Sequence, residues 1–234
     1  MTGKGLYFGN DAIVPVNLLN RESRTTYLHS QLIVDANGSI KGTAAISFGS
    51  VAAIRFKKSL REGDSEKVKD VIVQDFPEFL IENIEIKKES SGKNSSGFSF
   101  STTIDSDDHV YKSDNKLFLD CIPFGSQGSN PYNDDKRILP IEFDVPINET
   151  LIFQYSIPEG YKVIELPEPI ILKLPENSAS FTFNVGAIGN TVQVTSKVAV
   201  NQTIFQPTEW PSLNRFYSEV ISKQASQIIL EKEQ

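Results

Sequence analysis

At 234 residues the chain is long enough to bury a large core without disulfides or a structural metal. Its 39% hydrophobic and 23% charged residues are ordinary for a soluble globular protein. A net charge of -7 with no Lys/Arg-rich stripe argues against a nucleic-acid partner, which calls for a basic field. No apolar run reaches the length of a membrane span, Met1-Thr2-Gly3-Lys4-Gly5 begins no signal peptide, and the lone cysteine, Cys121, excludes an internal disulfide.

Leu6 to Asn20 carries little periodicity and is interrupted by Gly9-Asn10 and Pro15, so residues 1–24 read as a lead-in segment, the tail of a preceding domain. Tyr27 to Val34 reads as a strand. Asp35-Ala36-Asn37-Gly38 is a hairpin signal because Asn-Gly tolerates positive φ, and the return strand puts Ile40, Ala44, Ile46 and Phe48 on one face. Val51 to Lys58 fits a helical turn or a short strand. Asp64 to Asp75 is the clearest interior helix, with Asp64 as N-cap, Glu66 in the first turn, a stripe of Val68, Val71, Ile72 and Phe76, and Pro77 ending it.

Strands follow around Leu80–Lys88 and Phe98–Ile104, separated by a Ser/Gly/Asn-rich stretch, and Leu117, Leu119 and Cys121 share a face of another. The segment from Pro123 to Lys136 is a long loop. From there to Val200 short alternating runs (Leu151/Phe153/Tyr155/Ile157, Ile170/Leu172/Leu174, Phe181/Phe183/Val185, Val192/Val194/Val198/Val200) are broken by turn residues, the pattern of antiparallel strands that each bury one face. Pro211 opens a C-terminal helix, to about Ala225, whose stripe is Leu213, Phe216, Tyr217, Val220 and Ile221. Gln227 to Glu231 reads as a last strand returning to a sheet edge. The fold class is therefore mainly β: a large antiparallel two-layer β-sandwich with one interior helix (about 64–75) and one C-terminal helix (about 211–225). Residues 25–234 form one domain, the alternative being two sandwiches that meet near 123–137.

Chemistry is sparse. A cysteine nucleophile needs a histidine base, and both histidines, His29 and His109, precede Cys121, the reverse of the papain-like order; the parity of Cys121 with Leu117 and Leu119 points to burial. No serine-hydrolase elbow, zinc motif, Walker loop or dinucleotide fingerprint occurs, so no catalytic residue and no cofactor is predicted. Asp105, Asp107 and Asp108, with Asp114 beyond, are weak candidates for a hard cation; the pattern lacks the central Gly and distal Glu of an EF-hand, and a solvated loop explains it better. Tyr132 and Arg137 are candidates for a binding surface. Trp210, Phe216 and Tyr217 fit a sugar platform less well than core packing, because their spacing is helical.

Three phrases in order carry a resemblance: Asn130-Pro131-Tyr132 with Lys136-Arg137-Ile138-Leu139-Pro140-Ile141-Glu142-Phe143, then Ile157-Pro158-Glu159-Gly160-Tyr161 with Glu165-Leu166-Pro167, then Phe216-Tyr217 with Lys223-Gln224-Ala225-Ser226-Gln227-Ile228. Together they resemble the C-terminal β-rich region of large exported transglutaminase-like proteins of Gram-negative bacteria, across roughly Thr25 to Lys232. The resemblance implies a periplasmic or cell-surface location and an adjacent transglutaminase-like domain as partner. The Cys, His and Asp of that fold belong to the preceding domain, and no residue here matches them. The expected function is a non-catalytic accessory domain that packs against, or presents substrate to, the catalytic domain. The alternative is an independent glycan- or peptide-binding module using a sheet edge or the 123–137 loop.

Overall fold

A computed structural model of the chain describes residues 3–9, 12–18, 22–49, 51–54, 56, 65–75, 79–88, 97–132 and 137–233. The first strands are β1 (Gly3–Phe8), β2 (Ile13–Leu18), β3 (Arg24–Val34) and β4 (Ile40–Phe48). Helix α1 (Ser65–Asp75) precedes β5 (Leu80–Lys88), β6 (Phe98–Ser106), β7 (Val110–Ser113), β8 (Lys116–Asp120) and β9 (Ile141–Glu142). Then come β10 (Ile147–Ser156), β11 (Tyr161–Glu165), β12 (Ile170–Lys173), β13 (Ala179–Ile188), β14 (Thr191–Val200) and β15 (Ile204–Phe205). Helix α2 (Trp210–Gln224) and β16 (Gln227–Lys232) complete the order.

Eight strands form one sheet in the order β12-β13-β14-β10-β3-β4-β6-β5, and four form a second, β11-β16-β8-β7. The architecture is mainly β and sandwich-like, as the alternating pattern predicts. Alternation along β10 sends Leu151, Phe153 and Tyr155 to one face; along β14 it sends Val192, Val194, Val198 and Val200 to the same face. That face, with Leu28 and Leu32 of β3 and Phe181 and Phe183 of β13, joins Leu117, Leu119, Ile228 and Leu230 of the second sheet in one core. Phe124 meets Phe153 edge-to-face at 4.9 Å, so the long loop contributes to the core as well. The outer face carries Thr, Ser, Asn and Gln: Gln31, Gln154 and Gln193 stand side by side across β3, β10 and β14. Phe48, Phe56 and Phe98 stack at the far end, the last two with ring centroids 4.4 Å apart.

Four features depart from the sequence reading. The lead-in segment contains a hairpin, β1 with β2, because six residues on each side pair antiparallel despite Pro15. One pairing is parallel: β3 runs alongside β10, with Leu28 opposite Leu151. The strand β7 went unrecognised because Val110-Tyr111-Lys112-Ser113 shows one buried side chain in four. The last strand does not end at an edge; β16 lies between β11 and β8, bonded on both sides.

Helix α1 forms where the stripe predicts it, and the readings of Asp64 as its cap and of Phe76 and Pro77 at its end lie outside the described residues. Val51 to Ala53 form a turn and Ile54 and Phe56 are helical; the rest of that undecided stretch also lies outside them. At the Asn37-Gly38 turn, Gly38 takes φ of 107°, as the hairpin requires.

Gly42 holds the β3–β4 pair at its spacing. It lies opposite Leu32, and a Cβ there would run into the backbone carbonyl of Gln31. Gly42→Ala is therefore expected to cost about 1–3 kcal/mol. Urea unfolding should show a lower midpoint with an unchanged slope.

Candidate functional site

Cys121 follows β8 and is fully buried with Leu117 and Leu119. Burial first, and the neighbouring Asp120 charge second, push its thiol up to about 12, so no thiolate forms near neutrality. His109 is buried too, its ring stacked on Phe79 at 4.8 Å. Its Nδ1 lies 3.2 Å from Asp120 Oδ2, while Gln227 Nε2 donates to Asp120 Oδ1 at 3.0 Å. Tyr155 Oη donates to the carbonyls of Asp120 and Cys121 at 3.0 and 3.2 Å, tying the eight-stranded sheet to the second one. The Cys-His-Asp residue types thus meet around one strand end, where the histidine and the carboxylate serve as a brace. His29 lies on the opposite, outer face of β3, across from Ile152.

The acidic candidates do not converge. Asp105 is exposed on β6 opposite Lys41, Asp107 and Asp108 are exposed in the β6–β7 turn, and Asp114 sits in the β7–β8 turn with φ of 51°. Ser106 Oγ accepts from the Asp108 N–H at 3.2 Å, a turn contact. Among the described residues no group of three acidic, histidine or cysteine side chains is placed to hold a metal ion.

Arg137 lies near enough to Tyr132 for its charge to act on the phenol, and Tyr132 meets partners that sequence reasoning missed. Pro211 in the first turn, the stripe Leu213, Phe216, Tyr217, Val220 and Gln224, and Lys223 near the C-terminus make α2 an amphipathic helix that buries one face. Tyr217 packs on Tyr132 with ring centroids 5.0 Å apart. Asn130 Nδ2 donates to the Asn214 carbonyl (3.0 Å) and to Ser218 Oγ (2.9 Å), and Asn214 Nδ2 returns a bond to the Tyr132 carbonyl. The loop is thus clamped to the helix. Below it, Gln224 Nε2 donates to Ser196 Oγ at 3.0 Å, both buried, and the Gln127 N–H reaches Gln224 Oε1.

Glu149, on the inward parity of β10, completes this cluster. Burial pushes its carboxyl up to about 7, partly offset by a hydrogen bond from Gln224. Tyr217 is shifted upward by burial, then by Tyr132 and Glu149; Tyr132 is shifted upward by burial against the opposing charge of Arg137. A polar residue on a buried stripe (Gln224) and a carboxylate in register with Leu151 and Phe153 (Glu149) were the available signals. A carboxyl that titrates near neutrality suits acid–base work, but open concavities lie elsewhere. One of about 480 Å³ lies over Gln154, Asn184, Gly186 and Gln193 on the outer face. Another, of about 560 Å³, lies beside Arg24, Phe48 and Asp144.

Residues 115–230 match a family described as a domain of unknown function with solved structure (DUF3858). The match is the finding that bears on kinship. It spans slightly less than half of the chain and contains every member of the Glu149–Gln224–Tyr132 cluster. A crystal structure from Parabacteroides distasonis, described as a "putative protease", is similar at 19% identity and a TM-score of 0.38 over 42% of this chain. The chain spans 19% of that protein's length. No curated protein matches.

Two outcomes check this account. Cys121 should resist iodoacetamide in the folded chain and react fully once urea unfolds it. Glu149 holds its proton to about pH 7 when folded but ionises near 4.5 when unfolded, so its contribution to stability is complete below about 4.5 and is lost as pH rises toward 7. Glu149→Gln should raise stability at pH 8 by on the order of 2 kcal/mol, with almost no change at pH 4.5. Melting curves should show ~2–4 °C per kcal/mol.

Proposed function

We propose that this chain is a non-catalytic accessory domain that packs against a transglutaminase-like or protease-like domain. The observation that carries the reading is the β1–β2 hairpin. It forms a two-stranded sheet of its own, yet Leu6, Tyr7, Phe8 and Ile13 are each 60–71% exposed. A lone hairpin is marginal in water, and so many apolar side chains on one ribbon call for a covering surface. Ile138 and Leu139, 89% and 72% exposed beside Arg137, offer a second apolar contact. The ordered phrases from Asn130 to Ile228 support the transglutaminase-like context, and with it a periplasmic or cell-surface location.

The chain's own chemistry supports the absence of a catalytic role: the thiol is buried and protonated, and His109 braces Asp120. A glycan-binding module is less well supported. Among the described residues the outer face of the eight-stranded sheet exposes one aromatic side chain, Tyr27, and no aromatic row.

The test is a titration of the intact chain with a separately expressed transglutaminase-like domain from the same polypeptide. Saturable binding is expected, with a rise in melting temperature of the complex. A variant carrying Leu6→Ser, Phe8→Ser and Ile13→Ser should bind at least about tenfold more weakly, about 1.4 kcal/mol. A wild-type chain that neither binds nor gains stability removes the proposal.

A further inference from the structure

We propose that the open edge of β12, with the groove between it and α2, binds a short extended polypeptide segment by strand addition. The strand ends the eight-stranded sheet, and among the described residues it pairs only with β13 there. The Leu174 N–H donates to the Ala179 carbonyl at 2.9 Å, continuing the register that pairs Leu172 with Phe181 and Ile170 with Phe183. Antiparallel geometry then turns the N–H and C=O groups of Ile170, Leu172 and Leu174 toward β13 and those of Ile171 and Lys173 outward. No turn, loop or side-chain hydrogen bond among the described residues reaches the outward groups.

Beside this edge lies a groove of about 360 Å³. Ile170, Leu172 and Leu174 form its strand side, Phe216 its floor, and Arg215 and Glu219 its helical rim. Arg215 and Glu219 stand one helical turn apart, and neither makes a side-chain hydrogen bond or ion pair among the described residues. Lys223 Nζ donates to the Glu168 carbonyl at 3.0 Å, fixing the approach to the strand against the same helix.

These features select a polypeptide. Outward main-chain groups two residues apart repeat at about 6.5–7 Å, the period of a neighbouring strand. The apolar groove accepts its alternate side chains, and a rim carrying both charges does not suit a polyanion. Pro169 and Pro175 bracket β12, and exposed Lys173 lies on it, devices that blunt pairing with a second copy and limit a guest to a few residues. The partner is thus a short extended segment with apolar residues at alternate positions and an acidic residue facing Arg215. This inference does not depend on the hairpin docking; the Leu6/Phe8/Ile13 variant should bind the same peptide unchanged.

The probe is a fluorescein-labelled heptapeptide, Thr-Val-Thr-Glu-Thr-Val-Lys, whose glutamate shares the groove-facing parity of its valines, titrated with the intact chain by anisotropy. Saturable binding is expected with Kd of about 10–100 μM. Ile171→Pro removes an outward N–H while sparing the β13 ladder, and should weaken binding at least tenfold. Arg215→Glu, on an exposed helical position, should weaken it similarly, with recovery when the peptide's glutamate becomes lysine. Absence of saturation up to about 1 mM, or equal binding by both variants, overturns the proposal. So does sedimentation showing wild-type self-association that Ile171→Pro abolishes, because the edge then belongs to a second copy.

Discussion

The parallel contact between β3 and β10 is the constraint on which the rest of the molecule depends. It joins the strands β3, β4, β6 and β5 to β10, β14, β13 and β12, making one eight-stranded surface through two strands that lie more than a hundred residues apart in the chain. With Leu28 held opposite Leu151, both stretches send their apolar parity to the same side. A slip of one residue would put Leu151, Phe153 and Tyr155 in water and Thr150, Ile152 and Gln154 in the core. The second sheet, α2 and the loop after Cys121 pack on the face so created. The Tyr155 hydroxyl, bonded to two carbonyls at the end of β8, keeps the two sheets in register with each other.

Most of the strand content was legible because one buried face leaves a period of two. The runs at 151–157, 181–185 and 192–200 all became strands with the predicted inward residues, and the C-terminal helix buried Leu213, Phe216, Tyr217 and Val220 as its stripe required. What a linear pattern does not carry is partner and direction. Nothing in Tyr27–Val34 distinguishes a parallel from an antiparallel neighbour, and nothing in Ile228 and Leu230 says whether a strand sits at an edge or between two others. The hairpin near the N-terminus escaped for a different reason: Leu6, Tyr7, Phe8, Ile13 and Val14 are exposed at consecutive positions, so they leave no alternation to detect.

The polar cluster was half legible. Tyr132 and Arg137 stood out because a long loop is where exposed function concentrates. Asn214 and Tyr217, which meet Tyr132, and Gln224, which meets Gln127, come from a helix some eighty residues later, and Glu149 from a strand whose inward neighbours are apolar. Such polar groups in a core are tolerable only when each finds a partner, and here Ser196, Gln224 and the Gln127 N–H satisfy one another. The cluster therefore anchors a loop of low hydrophobicity that would otherwise have little to hold it.

The long separation between β3 and β10 has a consequence for biogenesis. During synthesis β3 and β4 can pair almost at once, but the other flank of β3 stays bare until β10 has left the ribosome. Contacts of such high sequence separation form late and slowly. For that interval a nascent chain presents an apolar strand with one unsatisfied flank, the condition under which chains pair with one another or recruit a chaperone.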